Sequence, residues 1–70
     1  MERQRVSSSN LRSVGYDAAS STLEVEFNSG GVYQYFNVPE AAYSALMRAS
    51  SKGSYVNDNI KDRYRCRKVR

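Results

Sequence analysis

Two carboxylates and one thiol are the side chains of this sequence that could take part in catalysis. Glu24 and Glu26 stand two positions apart in an alternating segment, so both should lie on one face of a strand. Two carboxylates act as general acid and base only where an apolar pocket or a metal shifts one pKa, and the sequence indicates neither. We therefore expect both glutamates on the solvated face of a sheet.

Cys66 is the only cysteine, and the chain contains no histidine. This composition excludes an intramolecular disulfide and a Ser-His-Asp or Cys-His catalytic arrangement. It also excludes a zinc site built within one chain from four nitrogen and sulfur ligands. We expect a protein that is not an enzyme, with no catalytic residue, no metal site and no cofactor.

The positive charge is concentrated in the last ten residues. The whole chain has a net charge of +4, and residues 61–70 hold six basic side chains and one acidic one, Asp62. Such a segment attracts phosphate backbones, and an interleaved tyrosine could stack on a base; the alternative is a solvated tail that keeps the protein soluble. The candidate nucleic-acid-binding residues of this segment are Lys61, Arg63, Tyr64, Arg65, Arg67, Lys68 and Arg70.

Tyr33 and Tyr35 form a second candidate site, because both side chains should leave the same face of one strand. Adjacent aromatic rings on a sheet can stack unpaired bases. The alternative is that both rings belong to the core and only their hydroxyls reach the surface. A weaker third candidate is Lys52 with Asn57 and Lys61, where a helix start could hold an anion, although helix capping alone explains Ser51.

These residues are positioned by a short series of predicted elements. Strands are expected over Leu11–Asp17, Thr22–Phe27 and residues 32–37, with a turn over residues 28–31. An amphipathic helix should follow over residues 39–50, and a short second helix should begin after Ser51.

The predicted fold class is α+β, a three-stranded antiparallel β-meander packed against one main helix plus a short second helix. Residues 1–64 should form one small domain with a loose N-terminal arm over residues 1–10. Residues 65–70 should be a basic tail, which is a candidate for a partial fourth strand.

The order of these segments resembles the KTSC domain over about residues 6–64. The resemblance is carried by Val14-Gly15-Tyr16-Asp17, Leu23-Glu24-Val25-Glu26-Phe27, Gly31-Val32-Tyr33-Gln34-Tyr35, Val38-Pro39, Ala49-Ser50-Ser51-Lys52-Gly53-Ser54-Tyr55-Val56-Asn57 and Ile60-Lys61. This family is named for the C-terminus of some lysyl-tRNA synthetases and also occurs as small bacterial and phage proteins. The family's central Tyr-x-Tyr pair is matched by Tyr33 and Tyr35. RNA binding is a role suggested for the family as a whole.

The function expected from these features is nucleic-acid binding, with RNA or another polyanion as the partner. The alternative is a protein-interaction or phage accessory module that docks a partner through its sheet face or edge. No secretory signal is visible after Met1, and no apolar run approaches the length of a membrane span. We therefore expect a cytoplasmic protein with no membrane contact, either a monomer or a weak homodimer.

Overall fold

The alternating apolar segments of the sequence form strands of a five-stranded antiparallel sheet. The structure is a computed structural model that describes residues 1–70. The strands follow the chain in the order β1-β2-β3-β4-β5. Three of them were predicted: β2, Leu11–Asp17; β3, Thr22–Phe27; and β4, Val32–Tyr35. The edge strands are β1, Gln4–Arg5, and β5, Cys66–Lys68. The α+β class is confirmed, with two short strands more than the predicted meander of three.

The helices lie between β4 and β5 in the chain. Helix α1 spans Glu40–Arg48, and Pro39 stands at its N-cap, where its missing N–H leaves no donor unpaired. Helix α2 spans Lys52–Tyr55 and continues as a π-helical segment over Val56–Ile60. The Ser51 side chain accepts a hydrogen bond from the Ser54 N–H, so the predicted cap is confirmed. Neither helix is long and apolar enough to cross a membrane.

One face of the sheet packs against the helices. Register pairs Leu23 with Tyr35 and Val25 with Tyr33, so these four side chains share that face. Its buried apolar side chains form one core with Val38 and residues of the helices. The core consists of Leu11, Val14, Leu23, Val25, Tyr35, Val38, Leu46, Val56 and Ile60. We call this side of the sheet the helix face and the opposite side, which carries Glu24 and Glu26, the carboxylate face.

A β-bulge in β2 places Leu11 and Ser13 on opposite faces of the sheet. Leu11 pairs with Phe27 whereas Ser13 pairs with Glu26, so Arg12 is an extra residue in this ladder. Without the bulge, Leu11 and Ser13 would share a face. With it, Leu11 enters the core and Ser13 lies beside the carboxylates.

The N-terminus differs from the predicted loose arm, because Gln4 and Arg5 pair with Val14 and Ser13. Gly15 makes this docking possible. A Cβ atom at Gly15 would stand 2.5 Å from the Glu2 carbonyl oxygen and 3.0 Å from Arg3 Cγ. The chain therefore approaches β2 more closely than any other residue would allow.

The tail is also more regular than a free arm, and its predicted strand character is confirmed. Cys66 pairs with Tyr35 and Lys68 with Tyr33 along β4. The Val32 N–H donates to the Arg70 carbonyl oxygen at 2.9 Å, so the backbone contact continues to the last residue. This places the basic segment along one edge of the sheet.

Candidate functional site

The two glutamates lie in a closed ion-pair layer, and the prediction that they are solvated is wrong. Glu24 is only 4% exposed. Arg3 bonds to its Oε2 atom, and Gln34 Nε2 donates to Oε1 at 2.8 Å. Burial alone would raise the pKa of Glu24, but the bonds from Gln34 and Arg3 and the charge of Arg3 outweigh it and lower the pKa. The carboxylate is therefore held ionised.

Glu26 is held in a similar way. Ser13 Oγ donates to Glu26 Oε1 at 2.8 Å, and Arg3 Nε donates to Ser13 Oγ at 2.9 Å. Arg12 and Arg70 approach Glu26 Oε2 at 3.8 Å and 3.4 Å. The bond from Ser13 and these positive charges keep the pKa of Glu26 below its ordinary value, against the effect of burial. The polar groups of the carboxylate face are thus satisfied by one another.

The two tyrosines of β4 lie on the helix face in different surroundings. Tyr35 is 3% exposed and belongs to the core, so its ring offers no platform for a stacked base. Tyr33 is half-buried and meets Phe27 edge to face, with ring centroids 5.6 Å apart. Of the two alternatives for this pair, the core position applies to Tyr35, and only Tyr33 keeps part of its ring accessible.

A cleft of about 630 Å³ opens between this part of the sheet and the segment formed by α2 and the π-helical turn. Phe27, Tyr33 and Tyr35 line its sheet side, with Cys66 of β5. Asn57 and Lys61 line its helical side. We call it the helix-side cleft. Its volume lies within the range of pockets that hold small organic ligands.

Tyr35 lines this cleft although most of its ring is buried. Its hydroxyl has no hydrogen-bond partner in the chain, and no fully buried side-chain oxygen or nitrogen is left without a partner, so the hydroxyl is not fully enclosed. Burial, and then the neighbouring Cys66, Tyr33 and Asp62, raise the pKa of Tyr35 to about 12. The hydroxyl therefore stays protonated at neutral pH and can both donate and accept a hydrogen bond.

Asn10 completes the rim of the cleft, a position that sequence reasoning missed. Its carbonyl oxygen accepts from the Asn28 N–H at 2.8 Å, which fixes its backbone. Its side chain packs against Gly53, where a Cβ atom would stand 2.6 Å from Nδ2. Asn10 lies in a serine-rich stretch with no helix or strand pattern, so nothing local indicated this role. Phe27, predicted only as the last residue of the second strand, is the other cleft residue that was missed.

The basic side chains of the tail divide between the two faces of the sheet. Lys68 pairs with Tyr33 and lies on the helix face, whereas Arg67 pairs with Gln34 and lies on the carboxylate face. Arg70 bonds to Glu26 on that same face. Lys61 lines the cleft. The candidates of the tail therefore do not form one continuous patch.

The remaining candidates are spread around the end of the helical segment. Lys52 Nζ donates to the Ala49 carbonyl oxygen at 3.1 Å, and the Ser51 side chain caps α2, so both groups have partners within the chain. Arg63 and Arg65 are exposed, and Tyr64 packs against the core from a half-buried position. The structure brings Lys61 and Asn57 together at the cleft but leaves Lys52 bonded to the helix junction.

Few large hydrophobic residues are fully exposed. Met1 and Val69 are the large hydrophobic residues that are exposed, at 51% and 47%. They belong to opposite ends of the chain, and neither is part of the helix-side cleft. No group of three or more histidine, cysteine or acidic side chains is placed to hold a metal ion.

Three comparisons relate this arrangement to known proteins. The model of the KTSC domain matches residues 7–64. An uncharacterised protein of Stutzerimonas stutzeri is 44% identical over 64 residues, covering 91% of this chain and 90% of its own. A lysine–tRNA ligase of Nostoc punctiforme is 39% identical over 55 residues, which cover 79% of this chain but 10% of the ligase. The crystal structure of a KTSC domain protein from Yersinia pestis superposes with a TM-score of 0.95 at 45% identity, covering 99% of this chain and 97% of that one.

Proposed function

The chain belongs to the KTSC domain family, and from that premise and the geometry of the cleft we propose that it is a non-enzymatic module that binds single-stranded RNA in the cytoplasm. One observation carries this proposal. The basic strand β5 runs along the rim of an aromatic cleft, so that Lys68 lies beside Tyr33 and Lys61 lines the opposite wall. Cations beside an accessible aromatic ring are the combination that single-strand binding requires.

The roles of the residues follow from where their side chains lie. Lys61, which lines the cleft, and Lys68, which lies beside Tyr33, contact phosphates, and the exposed Arg63 and Arg65 add positive charge between them in the chain. Tyr33 supplies the aromatic contact, because Tyr35 is enclosed in the core. The backbone pairing of β5 with β4 fixes the position of Lys68 beside Tyr33, which lowers the entropy lost on binding.

The relatives add support for RNA as the nucleic acid. Three of the similar proteins are lysine–tRNA ligases from Nostoc and Trichormus, and their names state that they act on tRNA. The matched segment is a tenth of each ligase, so this similarity concerns a small part of those enzymes. A small segment shared with proteins that act on tRNA favours RNA over a protein partner.

The test is a salt series of binding to a fluorescently labelled single-stranded RNA. The variant Lys61→Gln/Lys68→Gln removes the cation that lines the cleft and the one that lies beside Tyr33. Each phosphate contact to a single strand contributes about 0.7 to the slope of log K against log salt, so this variant should lower the slope by about 1.4. Full-length protein is used throughout, because β5 and Tyr64 pack on the domain.

A matched control is available in Arg5→Gln/Arg48→Gln. It changes the net charge by the same amount, and neither arginine forms an ion pair or lines the cleft. This control should retain a slope close to that of the wild type. An equal decrease of the salt slope in both variants would show that the RNA is attracted by net charge alone. Absence of binding by the full chain at low salt would overturn the proposal and leave the alternative, a module that docks a protein partner.

A further inference from the structure

We propose that the helix-side cleft takes one unpaired nucleobase of the bound RNA, whose edge is read by the amides of Asn10 and Asn57 and whose face packs on the Phe27–Tyr33 pair. This inference rests on the proposed function and adds to it a pocket that selects a base. Phosphate contacts at the rim give affinity without sequence preference, whereas contacts to a base edge are the source of specificity.

The first argument is the contrast between the two faces of the sheet. On the carboxylate face, Glu24, Ser13 and Gln34 are bonded to one another or to Arg3. In the cleft, the exposed side chains of Asn10 and Asn57 line an open volume together with Asp58, and neither amide forms a hydrogen bond within the chain. A ligand can therefore bond to these amides without breaking any contact of the fold.

The second argument is the chemistry of the lining. An asparagine amide presents an acceptor oxygen and two donor hydrogens, which is the pattern needed to pair with the mixed donor and acceptor edge of a base. Tyr35, which also lines the cleft, adds a hydroxyl that can donate or accept one further hydrogen bond. Phe27 and Tyr33 supply the aromatic surface beside these groups.

The third argument is that the rim is positioned before any ligand arrives. The backbone of Asn10 is fixed by Asn28, whose Nδ2 atom also donates to the Ser9 carbonyl oxygen at 2.8 Å. The side chain of Asn10 rests on Gly53. A glycine inside a helix is unfavourable, but here its missing Cβ leaves the space that the amide occupies. A preorganised amide loses less entropy when a base binds.

A single-stranded RNA of uniform sequence is compared with one in which the central residue is abasic. One stacked and bonded base should make the intact oligonucleotide bind about 5- to 100-fold more tightly. Asn57→Ala should reduce this difference, because one of the two amides that bond to the base edge is lost, and should leave the salt slope unchanged. Its matched control is Asn59→Ala, in the same π-helical segment but outside the cleft.

A second measurement reports on the cleft directly. Cys66 is the only thiol, is exposed and lines the cleft. Its alkylation should slow at least several-fold when the intact oligonucleotide is bound, and should slow less at equal saturation with the abasic one. Gly53→Ala, which displaces the Asn10 side chain, should weaken the preference for the intact oligonucleotide.

The outcomes separate this inference from the proposed function. If RNA binds with a normal salt slope but the abasic oligonucleotide binds equally well and Asn57→Ala has no effect, the base pocket is refuted while the RNA-binding surface remains. If no RNA binds at low salt, both fall together. Thermal melting of each variant separates loss of the pocket from loss of the fold.

Discussion

Replacing Gly15 by alanine should undock the N-terminal strand, although alanine is the better residue in most strand positions. The added Cβ atom would stand 2.5 Å from the carbonyl oxygen of Glu2. That oxygen belongs to the backbone, so no rotamer change relieves the overlap. Residues 2 and 3 would have to move by about 1 Å to reach an ordinary contact distance.

The energetic cost follows from what Arg3 contributes. A shift of this size stretches the 2.9 Å hydrogen bond from Arg3 Nε to Ser13 beyond bonding distance and weakens the ion pair with Glu24. Hydrogen bonds to charged groups contribute about 1.5–3 kcal/mol each, and the 23% exposure of the Arg3 side chain lets water replace part of this. Alanine offsets about 0.5–1 kcal/mol of this destabilisation, because it lowers the conformational entropy of the unfolded chain. The net destabilisation should be about 1–2 kcal/mol, which lowers Tm by roughly 5–15 °C.

The assay is thermal and urea unfolding followed by circular dichroism. The control is the same substitution in a chain that lacks residues 1–5, none of which belongs to the core. Without the N-terminal strand there is nothing for the Cβ atom to meet, so Gly15→Ala should leave Tm unchanged or raise it. A full-length Gly15→Ala protein as stable as the wild type would refute the close approach, as would the same loss of stability in both backgrounds.

Three further predictions concern titration and capping. The pKa of Glu24 is lowered in the folded protein, so this carboxylate stabilises the fold above pH of about 4.5, and the stabilisation is lost as the pH falls through the folded pKa. In urea unfolding from neutral to acid pH, the free energy of unfolding of Glu24→Gln should therefore fall less steeply with decreasing pH than that of the wild type. The pKa of Tyr35 is raised to about 12, so the stabilisation by its protonated hydroxyl is complete below pH of about 10 and is lost as the pH rises to about 12. Ultraviolet titration should show one tyrosine that ionises at a higher pH than the others, and Tyr35→Phe should remove it. Ser51→Ala should cost about 1 kcal/mol because it removes the α2 cap, whereas Ser50→Ala should cost little in the same unfolding assay.

The elements that could be predicted from the sequence are those whose pattern is local. The alternation of Thr22–Phe27 predicts β3, and the cap at Ser51 predicts the start of α2. The short edge strands β1 and β5 were harder to predict, because two or three residues are too few to show the alternation of apolar and polar side chains. β1 depends on the missing side chain of Gly15, and the bulge at Arg12 depends on which partners Leu11 and Ser13 meet across the sheet.

The solvated glutamates were mispredicted for a different reason. Alternation shows that Glu24 and Glu26 share a face, but it does not distinguish a face open to water from one covered by arginines. The partners that cover them come from distant parts of the chain, residues 3, 12 and 70. The cleft could not be predicted from local sequence patterns either, because Asn10 and Asn57, which both line it, lie far apart in the sequence.

The ion pairs of Glu24 and Glu26 decide which basic side chains are free to bind an anion. Arg3 and Arg70 neutralise these carboxylates, so part of the positive charge of the carboxylate face is used within the fold. Lys61 and Lys68 have no acidic partner, but neither does Arg67 on the carboxylate face, and Asp58 lines the cleft with Lys61. Charge alone therefore does not select one face. The position of Lys68 beside the accessible ring of Tyr33 is what places the proposed RNA-binding surface on the helix side of the sheet.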